Sequence, residues 1–398
     1  YDTKSRLLHE IELEEMSDLF SSIEMPLTYV LADMELTGIK VDTDYLTSVE
    51  VELKEKIDGL EQEIYKDAGC EFNIMSPTQL SKILFENLEI PYPKRVKDGK
   101  YSTSKDILDK IRFVHPIVDK ILEYRTLSKL YTNYAVGLKA EVRDDGRIHT
   151  IFTQTLTRTG RLSSIEPNLQ NIPARSDYSK LIRKAFIPEK DSVILSSDYS
   201  QIELRIFAHL SKTDELINAF KNNMDIHTKT AMDIFKVTEE NVTKNMRRQA
   251  KAVNFGIVYG QSRYGLASSL GITPYEAQDF IDRYFATYPD VKRYMDETIK
   301  FAYAHGFVET LYGRKRYLGA ELNSRNANIR EFATRAAINA PLQGTSADMI
   351  KMAMVELHKK LKNYKSKMIL QIHDELVLEV PNNELEEVKK MTVKAMEI

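Results

Sequence analysis

Arg247-Arg-Gln-Ala-Lys251-Ala-Val-Asn-Phe255-Gly-Ile-Val-Tyr259-Gly260 repeats a functional residue at every fourth position. On a helix of about 3.6 residues per turn each step drifts by about 40°, so Arg247, Lys251, Phe255 and Tyr259 share one broad face. That face runs from two cations to an aromatic ring and then to a phenol at the C-terminal end. Two cations one turn apart can grip a polyphosphate, Arg through its planar fork and Lys as a point charge. A ring one turn further on can stack against a base or sugar. An amphipathic helix with a solvated basic edge, and with Phe255 and Tyr259 in the core, would show the same pattern. The rest of the chain decides between the two.

A chain of 398 residues predicts two or three domains, or one large domain with subdomains. Its apolar fraction of 42% and charged fraction of 29% are those of a soluble globular protein. The net charge of −3 sets up no global basic field, so basic groups count only where they cluster. No acid lies between Glu240 and Glu276, a stretch that holds Lys244, Arg247, Arg248, Lys251 and Arg263. None lies between Asp145 and Glu166 either, around Arg147, Arg158 and Arg161. Such one-sign patches fit a groove for an anionic ligand, or a solvated face. Cys70 is the single cysteine, compatible with a reducing cytoplasm. No apolar run is long enough for a bilayer, and no secretory signal opens the chain. The chain opens at Tyr1 without Met and stops at Ile398 inside a helical pattern, which suggests a piece of a longer protein.

Residues 1–25 read as charged helix broken at Pro26, with a second helix over 27–36 ended by Gly38. Apolar residues at Leu46, Val49, Leu53, Ile57, Leu60 and Ile64 form one stripe of a long helix. Ser76-Pro77-Thr78-Gln79 and Thr273-Pro274-Tyr275-Glu276 read as capping boxes with Pro at the first helical position. Residues 94–105 read as a polar, basic loop leading into a helix, and 115–134 as a further helix carrying Lys120, Arg125 and Lys129. Together, 45–135 predict a helical projection with a basic, hydroxyl-rich tip, able to follow a phosphate backbone or to be plain surface. The β-branched run 148–157 predicts a strand. Residues 213–345 predict helices.

Two acids stand out by position. Val193 to Ser200 reads as a short buried strand ending in Asp198, a place that suits a metal ligand or a helix N-cap. Met368 to Val380 reads as a hairpin with His373, Asp374 and Glu375 at its tip. Two carboxylates at strand ends, with a cationic helix face, are the inventory of two-metal phosphoryl transfer. Acids for hard cations, without His/Cys ligand spacing, argue against zinc. No P-loop or dinucleotide-binding glycine pattern is present.

Three stretches resemble the polymerase motifs of family A DNA polymerases, the bacterial DNA polymerase I family. They are Asp198-Tyr-Ser-Gln-Ile-Glu203-Leu-Arg205, then Arg247 to Gly260, then Gln371-Ile-His373-Asp374-Glu375. Thr159-Gly160-Arg161-Leu162-Ser163-Ser164, Pro167-Asn168-Leu169-Gln170-Asn171-Ile172-Pro173 and Gln343-Gly344-Thr345 match further family segments in the same order. The likeness runs from about Pro26 to the end. It implies an α+β, predominantly helical right hand with an antiparallel-sheet palm, a helical thumb and helical fingers. The expected division is 1–44 as an N-terminal segment and start of palm, 45–135 thumb, 136–210 palm, 211–345 fingers and 346–398 palm. The resemblance further implies that Asp198 and Asp374, helped by the Tyr199 carbonyl, hold two Mg²⁺ ions. Arg247 and Lys251 would bind the triphosphate, with Lys251 a candidate proton donor to pyrophosphate. His227 would touch phosphate, and Gln201 belongs with the nucleotide site. Phe255 and Tyr259 would pack on the incoming nucleotide and template base, and Glu203 would close the sugar pocket. Arg161, Gln343 and His373 would read the minor groove, while Asn168 and Gln170 would contact primer-template. Glu375 is expected to support the ligands rather than be one. The implied partners are primer-template DNA and dNTPs, the implied state a cytoplasmic monomer. Two departures from the family pattern are expected: no room upstream of Pro26 for a 3′–5′ exonuclease domain, and a C-terminus short of the usual last strand. Two readings stay open beside this one, a single-subunit RNA polymerase and a non-catalytic DNA-binding relic of the fold.

Overall fold

A computed structural model describes residues 2–93, 101–173 and 177–397 and is helical over most of them. The chain divides into two units. One gathers Tyr1–Glu35, Phe152–Ser163 and Leu195–Ile398; the other gathers Leu36–Ile151 and Ser164–Ile194.

The second unit is built on the long helix Thr43–Ala68. Asp42 caps its start, Oδ1 accepting from the Tyr45 amide at 2.8 Å, and Gly69 ends it in the left-handed region at φ 72°. Five of the six expected positions, Leu46, Val49, Leu53, Ile57 and Ile64, are buried and Leu60 is half-buried, on a helix packed against helix Pro116–Leu130. Truncating one of these leucines to Ala would cost about 2–5 kcal/mol through lost burial and the cavity left behind. The capping box at Ser76 is only half formed. Ser76 accepts from the Gln79 amide, but the Gln79 side chain accepts from Asn73 instead of returning to Ser76. Part of the expected basic tip, residues 94–100, lies outside the described residues. Two of the basic groups expected there are committed inside the unit: Arg125 donates to the Thr103 carbonyl at 2.5 Å, and Lys120 pairs with Asp67 at 2.8 Å.

In the first unit the chain does not break at Pro26. A π-helical stretch, Leu19–Glu24, runs directly into helix Met25–Thr37, and its wider turn takes up the proline that an α-helix interior would not accept. The strand expected over 148–157 is split into two short pieces, Arg147–Ile148 and Ile151–Thr153. Within the second the Phe152 amide donates to the Glu35 carboxylate, and beyond it the Thr157 side chain closes onto the Arg161 carbonyl.

The site rests on a three-stranded sheet of β1 (Ser192–Asp198), β2 (Lys367–Ile372) and β3 (Glu375–Pro381), in the order β1-β3-β2. β2 and β3 are antiparallel with Ile372 opposite Glu375, so His373 and Asp374 alone form the turn and Glu375 already belongs to the strand. β1 is an edge strand and half exposed, not buried as its apolar composition predicts. Around the sheet stand helices α1 (Ile202–Ser211), α2 (Ile226–Phe235), α3 (Lys244–Val258) and α4 (Ala327–Leu361). An apolar core runs through Phe207, Val253, Ile257, Val258 and Leu342. The capping box at Thr273 is complete in both directions.

Candidate active site

The sheet sets the two carboxylates side by side. β1 and β3 are neighbours, and the Tyr199 amide donates to the Asp374 carbonyl at 3.1 Å, tying the two strand ends together. Both ends need unusual backbone. Gln201, the cap of α1, and His373, just before Asp374, sit at φ 56°, which for a residue with a Cβ costs about 1–2 kcal/mol. The buried Gln371 amide donates to the His373 carbonyl and Ser196 Oγ donates to Glu375, so the tip is held from both sides. Burial, and then the charges of Asp374 and Glu375, push the Asp198 carboxyl above its ordinary range. Among the described residues no cation pairs with Asp198. The nearest to Asp374 is Arg161, at 4.0 Å.

Helix α3 carries the quoted face as its spacing predicts. Arg247 and Lys251 are exposed, and Phe255 is half-buried. The Tyr259 and Phe255 rings stack at 6.1 Å between centroids, with 13° between their planes, and Lys251 lies 5.9 Å from the Phe255 centroid. Arg247 spends its fork on Asp225, with contacts of 3.1 and 2.8 Å. Burial opposes ionisation of Asp225, but the hydrogen bonds from Arg247 and Thr228 outweigh it and hold this carboxyl at about 2. His227 is buried against Phe255, and burial takes it down to about 4, so it is neutral near pH 7. Asn254 Nδ2 lies 3.1 Å from His227 Nδ1 and is itself bonded to Thr230. With Nδ1 accepting, the ring proton sits on Nε2, a donor suited to a phosphate oxygen.

Glu203 joins two of the other expected residues. Arg161 Nη2 reaches its Oε1 at 2.5 Å, and the Tyr259 hydroxyl donates to its Oε2 at 2.8 Å. Burial pushes the Glu203 carboxyl up against the pull of Arg161 and Tyr259. Burial, and then Glu203, raise the Tyr259 phenol, which therefore stays a donor. Arg161 is delivered by a close approach of its loop to α4. A Cβ on Gly344 would stand 2.5 Å from Thr310 Cγ2 and 3.2 Å from the Thr159 carbonyl, so only glycine fits there. Gln343, one residue earlier on α4, is half-buried.

Asn168 and Gln170 belong to the other unit. Asn168 Oδ1 accepts from the Gln170 and Asn171 amides, and Gln170 Oε1 accepts from the Ser164 amide, so both close their own loop. Sequence reasoning passed over Asp225, Asn254, Ser196 and Ser346. A signal existed for one of them: Asn254 is a polar residue on the apolar side of α3, and a buried amide demands partners.

The donor set suits a hard divalent cation: two carboxylates, a carbonyl and no compensating base beside Asp198. Among the described residues no three His, Cys, Asp or Glu side chains cluster to enclose a metal.

The family model for DNA polymerase family A matches residues 43–398. The chain belongs to DNA polymerase family A. Family A enzymes use divalent metal ions, in keeping with this donor set. Two DNA polymerase I relatives are similar along almost the whole chain. That of Geobacillus stearothermophilus is 52% identical over 395 residues, 98% of this chain and 45% of the relative. That of Bacillus subtilis (strain 168) is 51% identical over 398 residues, 99% of this chain and 45% of the relative. The chain thus spans a little under half the length of these curated relatives. A solved structure, the POL domain of Pol1 from M. smegmatis in complex with DNA primer-template and dNTP, is similar with a TM-score of 0.93 at 39% identity, covering 98% of this chain and 69% of that one. The helical, α+β right-hand architecture expected from the sequence is this family's. No helix among the described residues is long and apolar enough to cross a membrane.

Proposed function

We propose that the chain is a template-directed DNA polymerase that adds dNTPs to a primer 3′-OH and releases pyrophosphate. The 3′ oxygen forms a bond to the α-phosphorus, the α–β bridging bond breaks, and the 3′ proton is lost. The observation that carries this reading is the pairing of Asp198 with Asp374 on neighbouring strands, in the same unit as the cationic and aromatic face of α3. When bound, two Mg²⁺ ions would lower the pKa of the attacking hydroxyl and neutralise the departing pyrophosphate. The chain's own residues do the rest. Asp198, Asp374 and the Tyr199 carbonyl would hold the metals, and Glu375 would support them. Arg247, Lys251 and the Nε2–H of His227 take the triphosphate, so Arg247 exchanges Asp225 for phosphate as the nucleotide binds. Lys251 is the proton donor to pyrophosphate. Phe255 and Tyr259 stack on nucleotide and template base, Gln201 lies beside the nucleotide, and Glu203 with Tyr259 walls off the position of a ribose 2′-OH. That hydrogen-bonded wall favours a DNA over an RNA polymerase. Arg161, Gln343 and His373 read the minor groove, and Asn168 and Gln170 fix the loop that meets primer-template. The thumb at 45–135, the fingers at 211–345, a monomeric state and a cytoplasmic location belong to the same reading.

The test is a labelled primer-template incubated with dNTPs and Mg²⁺. Stepwise templated extension by the wild-type chain, lost on Asp198→Asn, is the expected result. A chain that binds the duplex without extending it would be the non-catalytic relic.

A further inference from the structure

A second, uncharged layer stands behind one of the paired carboxylates. Ser346 lies within α4 and is 1% exposed. A buried hydroxyl needs a partner, and a helical serine commonly finds it on a carbonyl three or four residues back in its own helix. Ser48, Ser81 and Ser269 do so in this chain, bonding to the carbonyls of Tyr45, Thr78 and Gly265. Ser346 turns outward instead and donates to Asp374 Oδ1 at 3.0 Å. It is the one hydrogen-bond donor to that carboxylate among the described residues, Arg161 remaining at 4.0 Å.

The helix around Ser346 is anchored on both sides. Thr345 Oγ1 accepts from the Leu311 amide, Asp348 accepts from Thr310 and Arg314, and Lys351 pairs with Glu24. Asp374, by contrast, sits on a two-residue turn entered through a left-handed His373. We propose that Ser346 is a positioning residue for catalysis: its hydroxyl transfers the rigidity of α4 to the Asp374 carboxylate. A hydroxyl suits this task. It adds no charge, so the carboxylate keeps its attraction for a cation, and it uses one lone pair of Oδ1 while Oδ2 stays open. An ammonium or guanidinium in its place would compete with the metal. The inference rests on the assignment of Asp374 as a metal ligand under the proposed function.

The test compares wild type, Ser346→Ala and Ser346→Cys, each with and without Asp374→Asn. Cysteine nearly keeps the volume but is a weak donor, so packing and hydrogen bonding separate. Mn²⁺ binding is read by electron paramagnetic resonance in complexes with a dideoxy-terminated primer-template and the next dNTP. The Mg²⁺ dependence of extension is measured alongside. Removing a hydrogen bond behind a metal ligand typically weakens the metal about 10-fold or more. Both single variants should therefore raise the Mn²⁺ dissociation constant and the half-maximal Mg²⁺ concentration about 10-fold, with dNTP KM at saturating Mg²⁺ little changed. In the Asp374→Asn background the further change should vanish. Mn²⁺ affinity within about twofold of wild type in the Ala and Cys variants, or a loss confined to thermal stability, overturns the proposal. An undiminished effect in the Asp374→Asn background does the same. If Asp374→Asn alone leaves Mn²⁺ affinity unchanged, the metal assignment fails, and this inference fails with it.

Discussion

Within one unit, two groups of acids sit in opposite electrostatic situations. In the core, Glu24, Arg314, Asp348 and Lys351 form a closed set. Lys351 donates to Glu24 at 2.8 Å, Arg314 bridges Glu24 and Asp348, and Asp348 also accepts from Thr310. Asp348 and Lys351 expose no side-chain surface, and two acids meet two bases. At the sheet ends, Asp198, Asp374 and Glu375 crowd together, with Arg161 as the nearest base and its closest contact spent on Glu203. A structural charge buried without its partner costs several kcal/mol, so the first group is complete within the chain. The second has no base of its own beside Asp198 and lies open to solvent, and under the proposed function a divalent cation supplies the positive charge. That difference is the one expected between acids that hold a protein together and acids proposed to take a metal.

Neutralising either group breaks the comparison in a different currency. Asp198→Asn or Asp374→Asn should lower extension by about a thousandfold or more, leaving primer-template binding and thermal stability nearly intact, because charge goes but volume stays. A variant retaining over roughly a tenth of the wild-type rate, a loss under about 1.4 kcal/mol, would refute the two-metal assignment. In the core, Lys351→Met strands Glu24 and Asp348 with Arg314 alone. It should lower unfolding free energy in urea by about 3 kcal/mol. A stability change below about 0.5 kcal/mol would mean that the closed set contributes no more than surface ion pairs do.

The sugar wall gives a smaller effect. Glu203→Ala removes the acceptor of the Tyr259 hydroxyl and should raise the ribonucleotide-to-deoxynucleotide ratio of kcat/KM about 10-fold, close to 1.4 kcal/mol. Phe255→Tyr should raise dideoxynucleotide use by a similar factor without much change in normal extension. If neither ratio moves, these residues do not line the sugar pocket. The smallest effect concerns Asp225, which holds the Arg247 fork and also caps α2. Asn keeps the cap but gives up the charge. Asp225→Asn should lower dNTP KM about threefold by removing a competitor for Arg247, a difference of about 0.7 kcal/mol. An increase in KM would show that Asp225 positions Arg247 instead of competing for it.

Local chemistry made much of this readable. Fourfold spacing placed Arg247, Lys251, Phe255 and Tyr259 on one face because helix geometry is short-range and periodic. The apolar runs on either side of residues 373–375 announced a hairpin, and the Thr273 box announced a helix start, because both signals are local. Where a local rule failed, a neighbour from elsewhere in the unit had a better offer. Asn73 took the Gln79 side chain from Ser76. A half-exposed edge position likewise cannot be seen in the apolar run of β1. Sequence alone thus determined the family and the helical character, and it named the candidate reactive residues. Tertiary structure decided which charges meet: that Asp374 receives a hydroxyl from Ser346, that Arg247 is held by Asp225, and that Glu203 spans Arg161 and Tyr259. Those pairs lie 22 to 56 residues apart in the chain, and no periodicity reaches that far. Hydrogen bonds of 2.5–3.1 Å need atoms placed to a fraction of an ångström, and only the packing of α3, α4 and the sheet provides that placement.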